Sequence, residues 1–172
     1  MAILDRINRS ADVKKLSYSE LSELAVELRE KIIDTARENG GHLSANLGII
    51  ETTIALHYVF DFPKDKLIFD VGHQCYAHKI LSDRKEAFSG IRTDGGISGF
   101  PSREESEYDV FTTGHAGSSI ASGLGLCEAR DRLKEDYCVI DLVGDGSFVN
   151  GLNLEAITSS TGQPKKFIVI LN

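Results

Sequence analysis

The chain of 172 residues alternates between amphipathic stretches and short, continuous apolar runs. In the amphipathic stretch at residues 21–32, every third or fourth position is leucine or isoleucine, which is helical spacing. The preceding SYSE at 17–20 fits a capping box, and NGG at 39–41 supplies a stop, because glycine adopts left-handed conformations without strain. We therefore predict a helix from about residue 18 to residue 39 that packs one face on a core.

The apolar runs predict strands at residues 67–71, 110–112, 137–143 and 166–171. Helices are predicted at residues 47–60, 75–81, 118–130 and 151–160, and a long loop rich in glycine, serine and charge at residues 89–110. The runs are continuous rather than alternating, which is typical of a parallel sheet covered by helices. The fold class is predicted to be α/β, with a parallel sheet flanked on both faces by helices and residues 1–172 forming one domain.

Composition and charge exclude several classes of function. The formal net charge of -7 disfavours nucleic acid as a partner. Three widely spaced cysteines without a C-x-x-C pair argue against a disulfide framework or a zinc site, and favour a reducing compartment. No apolar run approaches the roughly 18 residues that cross a membrane, and MAILDRINRSADVKK resembles neither a signal nor a transit peptide. We predict a cytoplasmic protein without membrane contact.

Three polar side chains lie beside glycine where a predicted element begins or ends, at Gly72-His73, Gly114-His115 and Gly144-Asp145-Gly146. Ligands of open α/β sheets bind at the carboxyl ends of the strands. We therefore expect these three sites to converge on one crevice.

Asp145 is a candidate ligand for a hard cation. Asp-Gly is a common turn dipeptide, but no antiparallel strand follows Gly146, as a hairpin would require. A helical crossover followed by FIVIL instead predicts a parallel pair of strands, whose ends lie side by side just after Val143 and Leu171. A carboxylate there suits Mg²⁺ bridging to phosphate oxygens, and the flanking glycines permit close approach of a diphosphate.

The histidines divide into two groups. His42, His73 and His115 each adjoin a glycine at an element boundary, whereas His57 and His78 lie within predicted helices and are interpreted as structural. The segment TTGHAGSSIASGLG around His115 can direct backbone amides at an anion from a helix start, and its small residues also permit close helix packing.

Longer segments of the chain resemble one known family. These segments are GGHLSANLGIIETTIALHYVFDFPKDKLIFDVGHQCYAHKIL, SGFPSREESEYDVFTTGH and the combination of VGDG with a later ILN. They are similar to the N-terminal domain of the 1-deoxy-D-xylulose-5-phosphate synthase family, thiamine-diphosphate-dependent enzymes related to transketolase. The resemblance covers the whole chain. GDG with a later asparagine is shared by the broad superfamily, whereas DVGHQ-x-Y-x-HKIL and SGFP-x-R-x-ESEYD are specific to the synthases.

The resemblance implies a role for each site. Asp145 would bind Mg²⁺, and Gly146 and Ser147 would contact the diphosphate of the cofactor. His73 would touch the cofactor near its reacting carbon, and His42 would transfer a proton with substrate. A further cofactor-binding segment would be formed by Gly114, His115 and Ala116.

The resemblance also implies the reaction and the partners. Pyruvate would lose CO₂ and be joined to D-glyceraldehyde 3-phosphate, giving 1-deoxy-D-xylulose 5-phosphate for isoprenoid, thiamine and pyridoxal synthesis, in an enzyme that is a homodimer at full length. Family members close the last strand on Asn-Asp-Asn and bind the metal through the second asparagine, whereas Asn172 matches the first. We therefore expect an N-terminal fragment, incomplete at its C-terminus and inactive alone.

Two departures leave alternatives open. The family usually has GHSS where this chain has GHAG at 114–117, and Phe148 and Asn153 are bulkier or more polar than the family's residues after GDG. The chain could then be a non-catalytic truncated paralogue, or a synthase whose pocket has repacked. The N-terminal piece of a split transketolase is a third alternative, which the HKIL and SGFP-x-R segments fit poorly.

Overall fold

The computed structural model describes residues 2–160 and 166–172, which form two compact units. The first unit comprises residues 2–62 and 73–99, and the second residues 63–72 and 100–172. In chain order the elements are α1 (Ser10–Val13), α2 (Tyr18–Asn39), α3 (Leu43–Leu47), α4 (Ile50–Val59), β1 (Lys66–Phe69), α5 (Tyr76–Leu81), α6 (Ser119–Leu133), β2 (Val139–Val143), α7 (Asp145–Phe148), α8 (Gly151–Ser159) and β3 (Phe167–Leu171), with 3₁₀ turns at Leu4–Arg6 and Ala87–Gly90.

Helix α2 of the first unit begins and ends where the sequence predicts. The Ser17 hydroxyl accepts the backbone N–H of Glu20, and the Glu20 carboxylate accepts that of Ser17, which completes the capping box. Gly40 ends the helix with a φ of 71°, a left-handed value that glycine tolerates. Leu24 and Leu28 are completely buried, so the predicted apolar face does form the core of this unit.

The predicted helix at 47–60 is wrong in its start. The chain forms two helices there, α3 and α4, and the break lies at Gly48 and Ile49, where Ile49 has non-helical backbone angles of -113° and 1°. The side chain of Val59 is 64% exposed, so α4 is not buried on all sides. Helix α5 agrees with its predicted bounds within one residue.

The second unit contains a three-stranded parallel sheet in the order β1-β2-β3. Leu67 pairs with Ile140, and Ile140 pairs with Ile168. Every residue of the central strand β2 is buried, and α6 packs on the sheet through a cluster that includes Ile68 and Cys127. The predicted α/β class, with helices flanking a parallel sheet, is confirmed.

The strand predicted at residues 110–112 does not form. Phe111 packs against the cluster around Ile68, and the Thr112 hydroxyl accepts the backbone N–H of Arg103, so this apolar run serves as a packing segment of a loop. The loop predicted at 89–110 is confirmed as irregular, apart from the end of one 3₁₀ turn. No helix within the described residues combines the length and apolar content needed to cross a bilayer. The assignment of residues 1–172 to a single domain stays a prediction.

Candidate functional site

Two of the candidate histidines meet in the first unit. His42 is the N-cap residue of α3 and is exposed, whereas His73 precedes α5 and is half-buried. Their ring centroids are 5.1 Å apart, and the rings meet edge to face. The preceding Gly41 has a φ of 125°, and a Cβ atom there would lie 2.5 Å from the Tyr76 hydroxyl. Only glycine therefore fits at the position before His42.

The surroundings of the His73 ring favour its neutral form, and one buried ring nitrogen has no hydrogen-bond partner among the described residues. Burial lowers its pKa, and the neighbouring His42 lowers it further. The buried Nδ1 atom has no hydrogen-bond partner within the described residues, and neither does the buried hydroxyl of Tyr76. A buried polar atom without a partner is costly, and such atoms are common where a ligand binds. These two atoms therefore suit a polar ligand beside the histidine pair.

In the second unit, the carboxyl ends of β2 and β3 lie side by side. The backbone N–H of Asn172 donates to the carbonyl oxygen of Val143, and the backbone N–H of Asp145 donates to the carbonyl oxygen of Asn172, each with a donor–acceptor distance of 2.9 Å. The expected geometry, with Asp145 beside the end of the following parallel strand, is confirmed. The register of Val143 with Leu171 explains it, because Gly144-Asp145 and Asn172 follow these two paired residues directly.

The surroundings of Asp145 suit a hard cation bound partly by an external ligand. Its side chain is exposed, and among the described residues Oδ1 accepts only the backbone N–H of Gly146, at 2.6 Å. A Cβ atom at Gly144 or Gly146 would meet no atom within 4 Å, so space is open on both sides of the carboxylate. Within residues 2–160 and 166–172 no group of three histidine, cysteine or acidic side chains could hold a metal. One carboxylate completed by phosphate oxygens and water is a common arrangement for Mg²⁺.

The segment with Gly114, His115 and Ala116 lies exposed immediately before α6. The next residue explains one departure from the family pattern. Gly117 has a φ of 92°, and a Cβ atom there would lie 2.2 Å from the Asn150 side chain. Serine at this position would be strained and would clash, so Gly117 and Asn150 are matched to each other.

Asp70 anchors this segment, and sequence reasoning missed it. It follows β1, is 1% exposed, and accepts hydrogen bonds from the Gly117 N–H at 2.8 Å, the Ser119 hydroxyl at 2.7 Å and the Asn153 amide at 3.1 Å. Burial raises the pKa of its carboxyl, but these donors outweigh burial and the net pKa is lowered. The signal was present, since Asp70 opens the quoted segment DVGHQ.

A second buried carboxyl, Asp141 on β2, lies near Asp70. It is completely buried, and neither carboxyl oxygen has a hydrogen-bond partner among the described residues. The one proton of the Ser119 hydroxyl is donated to Asp70. Burial first, and the charge of Asp70 second, raise the pKa of Asp141 to about 7.

The two bulky departures after GDG point into the protein. Phe148 packs against the cluster of Ile120, Val143 and Ala156, and its side chain lies more than 4 Å from the Cβ position at Gly146. Asn153 is completely buried and joins Asp70 to the carbonyl of Ser147, at 3.1 and 3.0 Å. Ser147 is itself only 7% exposed, and its side chain faces Asp70.

The structure thus groups the predicted residues in two sets. His42 and His73 lie together in the first unit. The second set lies in the second unit and consists of the segments 114–116 and 145–147. Asp70 connects these two segments, because it is hydrogen-bonded to Gly117, which follows the first, and to Ser147 of the second. Convergence of the histidines with Asp145 on one crevice stays a prediction.

Two solved structures with a similar fold are transketolases. The transketolase of Campylobacter jejuni matches with a TM-score of 0.81 and 23% identity, covering 91% of this chain and 28% of that one. A transketolase of Pichia stipitis matches with a TM-score of 0.73 and 22% identity, covering 86% of this chain and 26% of that one. At this identity the likeness shows the fold.

Sequence comparison is more specific. Curated 1-deoxy-D-xylulose-5-phosphate synthases of Dehalococcoides mccartyi and Carboxydothermus hydrogenoformans are each 54% identical over 170 residues, which is 99% of this chain. The synthase of Methylacidiphilum infernorum is 51% identical over the same length. The chain spans 27% of each of these relatives. The family model for 1-deoxy-D-xylulose-5-phosphate synthase matches residues 4–172, and the chain therefore belongs to that family.

Proposed function

We propose that this chain supplies the N-terminal part of an enzyme that joins pyruvate to D-glyceraldehyde 3-phosphate, with loss of CO₂, to make 1-deoxy-D-xylulose 5-phosphate. Family membership supports the reaction class, a thiamine-diphosphate-dependent transfer. Because the chain spans about a quarter of its relatives, the catalytic activity belongs to the longer protein. The product would serve isoprenoid, thiamine and pyridoxal synthesis.

The observation that carries the proposal is the paired end of β2 and β3. There the exposed Asp145 carboxylate, flanked by Gly144 and Gly146, faces open space beside Asn172. We assign Mg²⁺ to Asp145 and the diphosphate of thiamine diphosphate to Gly146, with Gly114, His115 and Ala116 as a further contact. Ser147 would adjoin the diphosphate and support Gly146 from inside, because its buried side chain faces Asp70. When bound, the cofactor would supply the electron sink that lets pyruvate lose CO₂. The chain's part is to bind the diphosphate and hold the metal.

His42 and His73 would serve proton transfer and cofactor contact. A neutral His73 ring with an unpartnered Nδ1 can exchange a hydrogen bond with a ligand without adding a positive charge. His42 is exposed at the start of α3 and edge to face with His73, so it can reach a substrate from the solvent side. We assign His42 to proton transfer with substrate and His73 to cofactor contact.

The exposed apolar side chains and the cysteines bear on the assembly and the location of the complete enzyme. Several large apolar side chains of α8 and β3 are exposed, namely Leu152, Leu154, Ile157, Ile168, Val169 and Leu171. An apolar set of this size is typical of a surface that another polypeptide covers. We propose that the complete enzyme is a homodimer and is cytoplasmic, where the free thiols of Cys75, Cys127 and Cys138 would remain reduced.

A hybrid enzyme tests the proposal. This chain would replace the corresponding N-terminal segment of the Carboxydothermus hydrogenoformans synthase, and product would be measured with pyruvate, D-glyceraldehyde 3-phosphate, thiamine diphosphate and Mg²⁺. We expect turnover that depends on both cofactors and falls sharply on His42→Ala, because a general acid–base group contributes about 10²–10⁴-fold. Tyr18→Ala, on an exposed side chain of α2, is the matched control and should leave turnover unchanged.

A folded hybrid that binds neither cofactor nor substrate would contradict the proposal. That result would favour the non-catalytic truncated paralogue. The inward packing of Phe148 and Asn153 argues against that alternative, because the two departures leave the space at Gly146 open.

A further inference from the structure

Asn46 lies in α3 of the first unit and connects both candidate histidines. It is completely buried. Its side-chain amide nitrogen donates to the backbone carbonyl of His42 at 2.5 Å and to that of His73 at 2.8 Å. An asparagine amide carries two N–H groups, so both are used on the histidine backbones.

The third bond of Asn46 fixes its orientation. Its Oδ1 atom accepts the backbone N–H of Tyr76, the first residue of α5, at 2.9 Å. That N–H is one of the donors that a helix start leaves without a partner in the helix. The amide therefore cannot turn over without losing all three bonds, and the two carbonyls are held in one place.

We propose that Asn46 is a positioning residue that holds the His42 and His73 rings in edge-to-face contact. The catalytic importance of this positioning rests on the proposed function, whereas the contact between the two histidine rings is a property of this chain. Asn46 bonds to the backbone carbonyl of each histidine, so its hydrogen bonds occupy no ring nitrogen of either one. The 5.1 Å separation of the ring centroids thus depends on a residue that acts through the two backbones.

A simpler role for Asn46 is to cap α5 through Tyr76. The two roles use different atoms of the same side chain and can be separated. Asn46→Asp keeps an oxygen for the Tyr76 N–H but removes both N–H donors to the histidine carbonyls. Asn46→Ala removes all three bonds.

The experiment is nuclear magnetic resonance of the histidine rings in the 172-residue chain. In the unsubstituted chain we expect a cross-relaxation signal between the His42 and His73 rings and a titration midpoint for His73 below 6.5. In both Asn46→Ala and Asn46→Asp we expect the ring-to-ring signal to vanish. In Asn46→Ala the His73 midpoint should rise towards 6.5, because the ring gains water and moves away from His42. Thr53→Ala, another buried polar residue of the same unit, should change neither readout.

Each outcome of the experiment either supports or overturns the positioning role of Asn46. A ring-to-ring signal that persists in a folded Asn46→Ala chain overturns the proposal. If the signal persists in Asn46→Asp and vanishes in Asn46→Ala, the helix cap fixes the rings and the proposal is again overturned. Should Asn46→Ala fail to fold, Asn46→Asp gives the answer alone. None of these readouts needs turnover, so an inactive hybrid enzyme would count against the proposed function and leave this inference standing.

Discussion

Replacing Asp141 with asparagine should stabilise the protein, and more strongly at pH 8 than at pH 5. The buried Asp141 carboxyl has a pKa of about 7 in the folded chain, against an ordinary value of 3.8. Between these two values the folded chain binds a proton that the unfolded chain has released, so stability falls as the pH rises through this window. An amide of the same shape carries no charge at any pH and avoids the loss.

The size of the effect follows from the two pKa values. Each unit of pKa difference corresponds to about 1.4 kcal/mol, so ionised Asp141 costs the fold about 4 kcal/mol when the pH exceeds 7. At pH 5 the cost is about 1–2 kcal/mol by the same relation. The advantage of Asp141→Asn should therefore grow by about 2–3 kcal/mol between pH 5 and pH 8.

Urea unfolding followed by circular dichroism at the two pH values measures this change. Comparing variant with parent at each pH cancels the opposite contribution of His73, whose lowered pKa makes stability rise with pH. Asp70→Asn is the matched control in the same cluster. It should destabilise the chain at both pH values, because Asp70 is already ionised and its hydrogen-bond donors lose their acceptor. The destabilisation should be smaller at pH 8 than at pH 5, because removing the charge of Asp70 also lowers the pKa of Asp141. An advantage of Asp141→Asn that does not change with pH would refute the reasoning.

Two other predictions concern the fold and the activity of the chain. Gly117→Ala should lower the free energy of unfolding by about 2 kcal/mol, because it forces a Cβ atom onto Asn150 at a φ of 92°. The control Gly125→Ala, in open space on α6, should raise the free energy of unfolding by up to about 1 kcal/mol. Equal effects of the two substitutions in urea unfolding would contradict this prediction. The 172-residue chain alone should form no product from pyruvate and D-glyceraldehyde 3-phosphate with thiamine diphosphate and Mg²⁺, since it spans 27% of its relatives; turnover near ordinary enzyme rates would refute the assignment of the activity to the longer protein.

The elements with strong local signals were predictable from the sequence. The capping box and glycine stop of α2 give its bounds, and the continuous apolar runs give the three strands of the sheet. The run at 110–112 has the composition of a strand but pairs with no strand in the part of the chain that the structure describes, and pairing is not a local property of sequence. Helix α3 and the break at Gly48 and Ile49 were missed, because the five residues LSANL are too few to show helical spacing.

The candidate site was predictable where glycine marks the position of a polar residue. His42, His73 and Asp145 were identified in this way. Asn46 and Asp70 were not, because their importance comes from bonds to residues 27 and 47 positions away in the chain. Such long-range bonds leave no periodic signal.

The most direct test of the central claim is calorimetric titration of the hybrid enzyme with thiamine diphosphate, with and without Mg²⁺, comparing Asp145 with Asp145→Asn. The carboxylate is the main local charge opposite the ion, and an amide oxygen is a weaker ligand for a hard cation. We predict that Mg²⁺ strengthens cofactor binding in the parent by more than about 10-fold and that Asp145→Asn loses this gain while keeping its fold. Equal Mg²⁺-dependent affinity in the two proteins would contradict the account and remove Asp145 from the metal site.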